Sequence, residues 1–343
     1  MHICSRRFFA WTLVYAATLV IVFEFLLFEV QKLSWPENKC GGLSDFHKIL
    51  VVADPQILGE NGENWIARWD SDRFLQKTFW MAYWHVKPSL VLFLGDLMDE
   101  GSVATEEQYA RYYARFVQIF HLDTLLVNKT VFIPGDNDIG GENEAITPAK
   151  VNRYEKHFGP QMNVIEFNNL QFIKVNMMLD SYPTLNDIKN NKFTRICLSH
   201  MPVTTMISVL SNIRPHLIFS AHNHISAHFV SNAKSGEQFM YESFITNKFA
   251  NMMSSWRFQL NDLYPNEILV PTCSYRMGVP RLGYGVLLID KNKDVACYNI
   301  LWLPNRLLHL MLYPSITFII IVAIIICKRF VLVMSRYPTR CRR

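Results

Sequence analysis

The seven cysteines of the chain (4, 40, 197, 273, 297, 327 and 341) form no CxxC pair, which excludes zinc-finger and dithiol redox spacings. Between residues 40 and 304 there is no internal repeat and no low-complexity segment, so neither a solenoid nor a disordered linker is expected there. The formal net charge is +5, yet no long basic run interleaved with aromatics exists, and a nucleic-acid footprint is missing. Eight basic residues sit at the extremities (Arg6, Arg7, Lys328, Arg329, Arg336, Arg340, Arg342 and Arg343), and the remainder is slightly acidic. A small-x-small cleavage motif is also missing after the first apolar stretch, which favours an anchor over a cleaved signal peptide.

What is present is apolar. Half of the 343 residues are hydrophobic, enough for one large core or two small ones. Residues 11–30 are apolar apart from Glu24 and Glu29, and residues 307–327 are apolar again. Each stretch has the length of about 20 residues that crosses a bilayer. With basic residues outside both, the positive-inside rule places the two ends in the cytosol. The expected organisation is a cytosolic N-terminus over 1–10, a span over 11–31, a lumenal domain over 40–304, a span over 307–327 and a basic cytosolic tail over 328–343. Pro314 is expected to kink the second span rather than end it. Asn128-Lys129-Thr130 is a glycosylation sequon, usable only on the lumenal side. A disulfide among Cys40, Cys197, Cys273 and Cys297 is compatible with that side, but spacing does not choose the pair.

Between the spans, short apolar runs end in polar clusters. Runs at 47–53, 89–94, 130–133, 194–198 and 216–220 read as buried strands. Residues 70–86 and 105–121 read as helices, the second with Tyr109, Tyr112, Tyr113, Phe116, Ile119 and Phe120 on a packing stripe. Alternating strands and helices give an α/β domain. Residues 239–302 look strand-rich and are expected to extend a second sheet.

In open α/β sheets, function gathers where strands end. Five successive ends here carry Asp54, Asp96, Asp136 with Asp138, His200, and His222 with His224. Single acids after strands are ordinary turn residues, but five ends bearing only Asp and His point to metal ligation. Two divalent ions some 3.5–4 Å apart clamp the oxygens of a phosphoryl displacement. Such a pair needs a bridging carboxylate, for which Asp96 is the candidate, and carboxylate with imidazole donors suits manganese, iron or zinc. His222 and His224 are expected to project together from a continued strand.

The series Asp54, Gly95-Asp96, Gly135-Asp136-Asn137-Asp138, His200 and His222-Asn223-His224 resembles the calcineurin-like metallophosphoesterase superfamily in order and type. The resemblance implies a four-layer α/β/β/α sandwich, here flanked by two transmembrane helices, with a two-metal centre. It implies that Asp54 and His224 bind one metal, that Asp96 bridges, and that His200 and His222 bind the other. Ala53-Asp54-Pro55-Gln56-Ile57-Leu58-Gly59, Gly95-Asp96-Leu97-Met98-Asp99-Glu100-Gly101 and Val270-Pro271-Thr272-Cys273-Ser274-Tyr275-Arg276 look like the membrane-bound subgroup of metallophosphoesterase 1 and cell division control protein 1. That subgroup implies a manganese-dependent phosphodiesterase of the endoplasmic reticulum and early secretory route. It would remove ethanolamine phosphate from the glycan of glycosylphosphatidylinositol (GPI) anchors and support transport of GPI-anchored proteins.

Three positions depart from the superfamily pattern. Gln56 stands where a metal-binding histidine is usual and is a weak candidate ligand. Asp136 replaces an asparagine ligand. Asn137 replaces the histidine that contacts phosphate and protonates the leaving group, and an amide cannot act as that acid. Losing a general acid typically costs about 10²–10⁴-fold. Asn137, Asp138 and Arg276 are the candidate catalytic residues, Arg276 because a guanidinium pairs bidentately with phosphate. Two alternatives stand beside the phosphodiesterase: hydrolysis of another phosphoester, and a weakly catalytic metal-binding trafficking protein.

Overall fold

A computed structural model describes residues 2–41, 45–184, 193–204, 206–243, 255–290 and 295–336. The chain divides into two compact units, residues 31–303 and a helical unit of residues 1–30 and 304–343. The basic tail beyond Arg336, with Arg340, Cys341, Arg342 and Arg343, lies outside the described residues.

The helical unit begins with α1 (His2–Ile21), which continues through a π turn (Val22–Leu26) into α2 (Leu27–Leu33). Its candidate membrane span covers Trp11–Leu33, and that of the last helix covers Arg306–Ile326. That helix contains Pro314 without ending there. The two sequence interruptions are unequal. Glu24 is buried, and its carboxylate accepts from Arg306 Nη1 (2.7 Å) and the Tyr313 hydroxyl (2.9 Å), whereas Glu29 is exposed. Tyr15 and Thr317 share a further hydrogen bond of 3.0 Å. An acid among apolar helices persists when it is paired in this way.

The larger unit runs β1 (Phe46–Val52), α3 (Trp65–Val86), β2 (Leu90–Leu94), α4 (Glu106–Phe120), β3 (Thr130–Ile133), α5 (Asp136–Ile139) and α6 (Pro148–Phe158). It continues with β4 (Val164–Phe167), β5 (Leu170–Val175), β6 (Thr194–Ser199), α7 (Ile207–Ile213), β7 (Leu217–Ser220), β8 (Ala227–Ser231) and β9 (Gln238–Ser243). The last strands are β10 (Trp256–Gln259), β11 (Asn266–Leu269), β12 (Gly283–Asp290) and β13 (Val295–Trp302), and α8 (Arg306–Arg336) closes the chain in the helical unit. α3 starts five residues before the expected helix because Asn64 caps it, accepting from Ala67 N at 2.9 Å. α4 opens with a reciprocal capping box between Thr105 and Gln108.

Six strands form one sheet in the order β10-β13-β12-β1-β2-β3, and seven form the other in the order β4-β5-β6-β7-β11-β8-β9. β1, β2 and β3 are parallel, as are β5, β6, β7 and β11. The expected strand-rich region does not extend one sheet. β9 and β11 enter the second sheet, while β10, β12 and β13 enter the first, where β12 pairs antiparallel with β1. Alternating apolar residues explain the sandwich. Ile49, Val51, Leu92, Leu94 and Ile133 of the first sheet share a buried core with Phe172, Ile196, Leu198, Phe219 and Ile268 of the second. Phe93, between two inward leucines, turns outward to meet Phe79 of α3 and Phe116 and Phe120 of α4. Beyond the second sheet, Val209, Leu210 and Ile213 of α7 pack with Ile173, Cys197 and Ile218. The result is the expected four-layer α/β/β/α sandwich.

The ends of this unit are fastened together. Cys40 is disulfide-bonded to Cys297 of β13, leaving Cys197 and Cys273 as buried thiols. Trp35 Nε1 donates to the carbonyl of Trp302 at 2.7 Å.

Candidate metal centre

The parallel strands of both sheets deliver their carboxyl ends to one place. Asp54 lies two residues beyond β1, Asp96 two beyond β2, His200 directly after β6, and His222 and His224 in the bend after β7. Asp136 opens α5. Contrary to the expectation from strand alternation, His222 and His224 do not lie on a continued strand; β7 ends at Ser220. Both residues instead adopt left-handed backbone, with φ 66° and 58°. Asp54 (φ 45°), Gln56 (φ 38°) and Asp96 (φ 49°) do the same. Left-handed backbone costs an L-residue about 1–3 kcal/mol and persists only where the surroundings fix it. Gln56 N bonds the Asp96 carbonyl at 2.9 Å, and the Thr272 hydroxyl bonds the Asp54 carbonyl at 2.8 Å. Gly95 is required here. Its φ is +85°, and a Cβ would stand 2.6 Å from His200 Nδ1 and 2.7 Å from Gly135 N.

The side chains converge into two overlapping groups, Asp136 with His200 and His222, and Asp54 with Asp96 and His200. Within each group the ligand atoms lie within 4.8 Å of one another. His200 Nδ1 donates to the Leu94 carbonyl at 2.8 Å, an acceptor only, so Nε2 is the nitrogen offered to the cluster. That Nε2 stands 3.1 Å from Asp136 Oδ1 and 3.5 Å from Asp96 Oδ1. His222 Nδ1 is 3.1 Å from the same Asp136 oxygen, and His224 Nε2 is 3.9 Å from Asp54 Oδ1.

The electrostatics are those of a site short of positive charge. Burial pushes the Asp54 carboxyl up to about 8, with Asp96 adding to the rise and His200 opposing it. Burial also disfavours a charged His200, but Asp96, Asp136 and Asp54 overcome it and raise the imidazole to about 10. Asp136 stays below the usual carboxylate range despite its burial, because His200 and His222 hydrogen-bond to it. His222 is raised mainly by its bond to Asp136, whereas burial lowers His224. Asp54 Oδ2 is buried with no hydrogen-bond partner among the described residues. Buried carboxylates in close array with imidazoles, one oxygen left over, fit divalent cations.

The other candidate residues surround this cluster. Gln56 Nε2 lies 2.8 Å from Asp96 Oδ2 and 3.3 Å from His224 Nε2, so its amide sits between two of the candidate ligands. Asn137 donates to both Asp96 oxygens, from its backbone N–H at 3.0 Å and its side-chain amide at 2.8 Å. Asp138 is fully buried, and burial raises its carboxyl to about 7. It accepts from the backbone N–H groups of Leu97 (3.0 Å), Met98 (3.1 Å) and Gly135 (2.8 Å), fastening the Asp96 loop to the Asp136 loop. Arg276 pairs with Glu63, which precedes the cap of α3.

Two further acids support the site, Glu100 from within the Gly95–Gly101 motif and Glu267 from outside any motif. Glu100 holds the loop after Gln56, accepting from Asn61 N at 3.1 Å, Gly62 N at 2.8 Å and the Tyr112 hydroxyl at 3.1 Å. Glu267 accepts from Val203 N (2.8 Å), the Ser220 hydroxyl (2.7 Å) and the Thr204 hydroxyl, so it ties the segment after His200 to the end of β7. Its sequence signal was an acid opening the apolar run Glu267-Ile268-Leu269-Val270.

Comparison with known proteins agrees with this geometry. Residues 47–226, just over half of the chain, match the calcineurin-like phosphoesterase family. The chain is 23% identical to the metallophosphoesterase 1 homolog of Caenorhabditis elegans, with 94% of this chain and 93% of the relative covered. It is 26% identical to the metallophosphoesterase 1 homolog of Drosophila melanogaster over 43% of this chain and 40% of the relative. It is 23% identical to cell division control protein 1 of Saccharomyces cerevisiae over 77% of this chain and 59% of the relative. The match therefore spans less than half the length of the Drosophila relative and more than nine-tenths of the Caenorhabditis one.

Proposed function

The chain belongs to the calcineurin-like phosphoesterase family, and from that premise we propose that it is a membrane-anchored, lumen-facing two-metal phosphodiesterase that removes ethanolamine phosphate from GPI-anchor glycans. The observation that carries the reaction class is the convergence of two ligand triads that share His200, Asp136 with His200 and His222 and Asp54 with Asp96 and His200. Asp54 and His224 would hold one ion, His200, His222 and Asp136 the other, with Asp96 between them. Manganese is the proposed metal, zinc and iron being compatible with the same donors. Two bound divalent ions would neutralise phosphoryl charge and lower the pKa of attacking water. The protein's own share is positional. Asn137 and Gln56 fix the Asp96 carboxylate through three amide hydrogen bonds, and Asp138 fixes the loop that carries it. Neither amide carries a transferable proton at neutral pH, so neither Gln56 nor Asn137 can protonate the leaving alkoxide.

The membrane setting rests on other observations. Both candidate spans are long and apolar enough to cross a bilayer, and the basic residues outside them favour cytosolic termini. The Cys40–Cys297 disulfide suits an oxidising lumen, and sequon residue Asn128 is exposed at a turn before β3. Residence in the endoplasmic reticulum and a role in export of GPI-anchored proteins extend the same reading.

The replacement of the usual acid by Asn137 favours a second reading, a metal-binding trafficking protein with little turnover. Mass analysis of GPI glycans from cells lacking this protein separates the two. Retained ethanolamine phosphate, corrected by the wild-type chain and not by Asp96→Asn, supports the phosphodiesterase. Unchanged glycans defeat it. Rescue of transport by Asp96→Asn would favour the trafficking role.

A further inference from the structure

α3 buries one face under the first sheet, through Phe74, Leu75, Phe79, Ala82 and Val86, and its opposite face carries four tryptophans. Trp65, Trp69, Trp80 and Trp84 are 69%, 57%, 43% and 48% exposed, with Ile66 55% exposed beside them. At 100° per residue these positions fall within about a third of the helix circumference, and they run about 28 Å along it. Half of the tryptophans in the chain are thus on one outer stripe. Scattered apolar residues on a surface need no explanation, but an aligned set of indoles does.

The chemistry of the stripe is not that of a dry protein interface. Between its two aromatic ends the same face carries Arg73, Gln76 and Lys77, and Lys87 follows α3. The Arg73 guanidinium stacks over Trp69 at 5.4 Å, and Trp80 lies against Trp84 and His121 at 5.6 and 5.1 Å. Arg73, Gln76, Lys77, Trp80 and His121 line a cavity of about 360 Å³. One acid on this side, Asp72, is paired with Arg115 of α4 at 2.7 Å. Indoles alternating with cations are the composition of a bilayer headgroup zone, where the ring meets the acyl boundary and the cation meets phosphate.

Chain connectivity selects the same occupant. The C-terminal end of α3 is bonded to the segment that follows the first candidate span, which ends at Leu33. Asn38 Nδ2 donates to the His85 carbonyl at 2.8 Å, the His85 ring bonds the Pro36 carbonyl at 3.1 Å, and that ring packs on Trp35 at 5.2 Å. Trp84 is therefore next to a residue fastened only two to five positions beyond a span. Trp35 in turn bonds Trp302, four residues before the second span begins at Arg306. The far end of α3 leads to the metal centre, through Asn64, Glu63 and the loop that follows Gln56.

We propose that the Trp65–Trp84 face of α3 docks on the headgroup interface of the bilayer, with Arg73, Lys77 and Lys87 favouring anionic lipid. It deepens the proposed membrane-confined substrate, yet its test requires no substrate. The full chain is reconstituted in nanodiscs of phosphatidylcholine, with and without phosphatidylserine, and tryptophan emission is quenched by doxyl-labelled lipid or by aqueous iodide. Wild type is compared with the combined Trp65→Gln, Trp69→Gln, Trp80→Gln and Trp84→Gln variant, and with Trp69→Gln and Trp80→Gln singly. The expected result is loss of most doxyl-quenchable emission in the combined variant and a smaller loss in each single one. Phosphatidylserine should deepen the wild-type quenching. If the four indoles are quenched by iodide and untouched by doxyl lipid, the face is open to water and the proposal fails. If they are shielded from both, a protein or a second copy covers them and the lipid assignment fails. The single variants keep the outcome readable should the combined variant not fold.

Discussion

Asp54 and Glu267 are both fully buried acids of the same β-rich unit, and both are pushed up by burial, to about 8 and about 7. Their surroundings differ. Every Glu267 oxygen is taken by a backbone N–H or a hydroxyl of the chain, and the backbone around it is ordinary strand. Asp54 has one oxygen without a partner among the described residues, left-handed backbone, and a second carboxylate and an imidazole pressed against it. Burial alone therefore does not mark a functional acid. An acid satisfied by the chain is a fastener, whereas one left unsatisfied in strained backbone is arranged for something the chain does not supply.

The largest effect should come from breaking the unsatisfied side. Asp54→Asn or Asp96→Asn should strip bound metal, measured by elemental analysis, and lower turnover of an aryl phosphodiester about 10³-fold, the several kcal/mol that a Lewis acid supplies. Normal metal content with normal turnover would show that the cluster is not the centre. Asp138 stands between the two classes, since it binds backbone while shaping the Asp96 loop. Asp138→Asn should cost about 10–100-fold in metal affinity or turnover, the usual toll of an outer-shell partner, read by metal titration.

On the fastener side the readout changes from activity to stability. Glu267→Gln should destabilise the protein by about 1–3 kcal/mol in chemical denaturation while leaving the metal titration unchanged. A lost metal site with unchanged stability would reverse the assignment. The last test is a pH dependence. Glu267 binds its proton more tightly in the folded protein than in the unfolded chain, whose ordinary value is 4.5. The associated stability is complete below about 4.5, falls as pH rises, and is gone above about 7. The metal-loaded wild type should lose more stability across that window than Glu267→Gln. Parallel profiles would mean that Glu267 does not titrate there.

This contrast also accounts for what the sequence could announce. The runs before Asp54, Asp96, Asp136, His200 and His222 were visible because buried parallel strands are apolar throughout and end abruptly in polar residues. α4 was visible from its aromatic period, while its Thr105–Gln108 capping box emerged only in the structure. Long-range partnership was not visible. Nothing local to residues 239–302 tells which strand pairs with β1 and which with β7, because that depends on the closing of the sandwich. The choice of Cys297 for Cys40 depends on the same closure. Left-handed backbone at His222 and His224 was equally hidden, since histidine carries no conformational signature of the kind glycine does.

The paired clasps at the base of the β-rich unit have a mechanical consequence. Cys40–Cys297 and the Trp35–Trp302 hydrogen bond join the chain where it comes from one apolar helix to where it leaves for the other. A pull on either helix, from lateral drag or a shift of its neighbours, crosses at that clasp before it reaches β1 or the loops bearing Asp54 and Asp96. Tension is short-circuited at the base. The strained backbone of the metal centre is left to hold its shape unloaded.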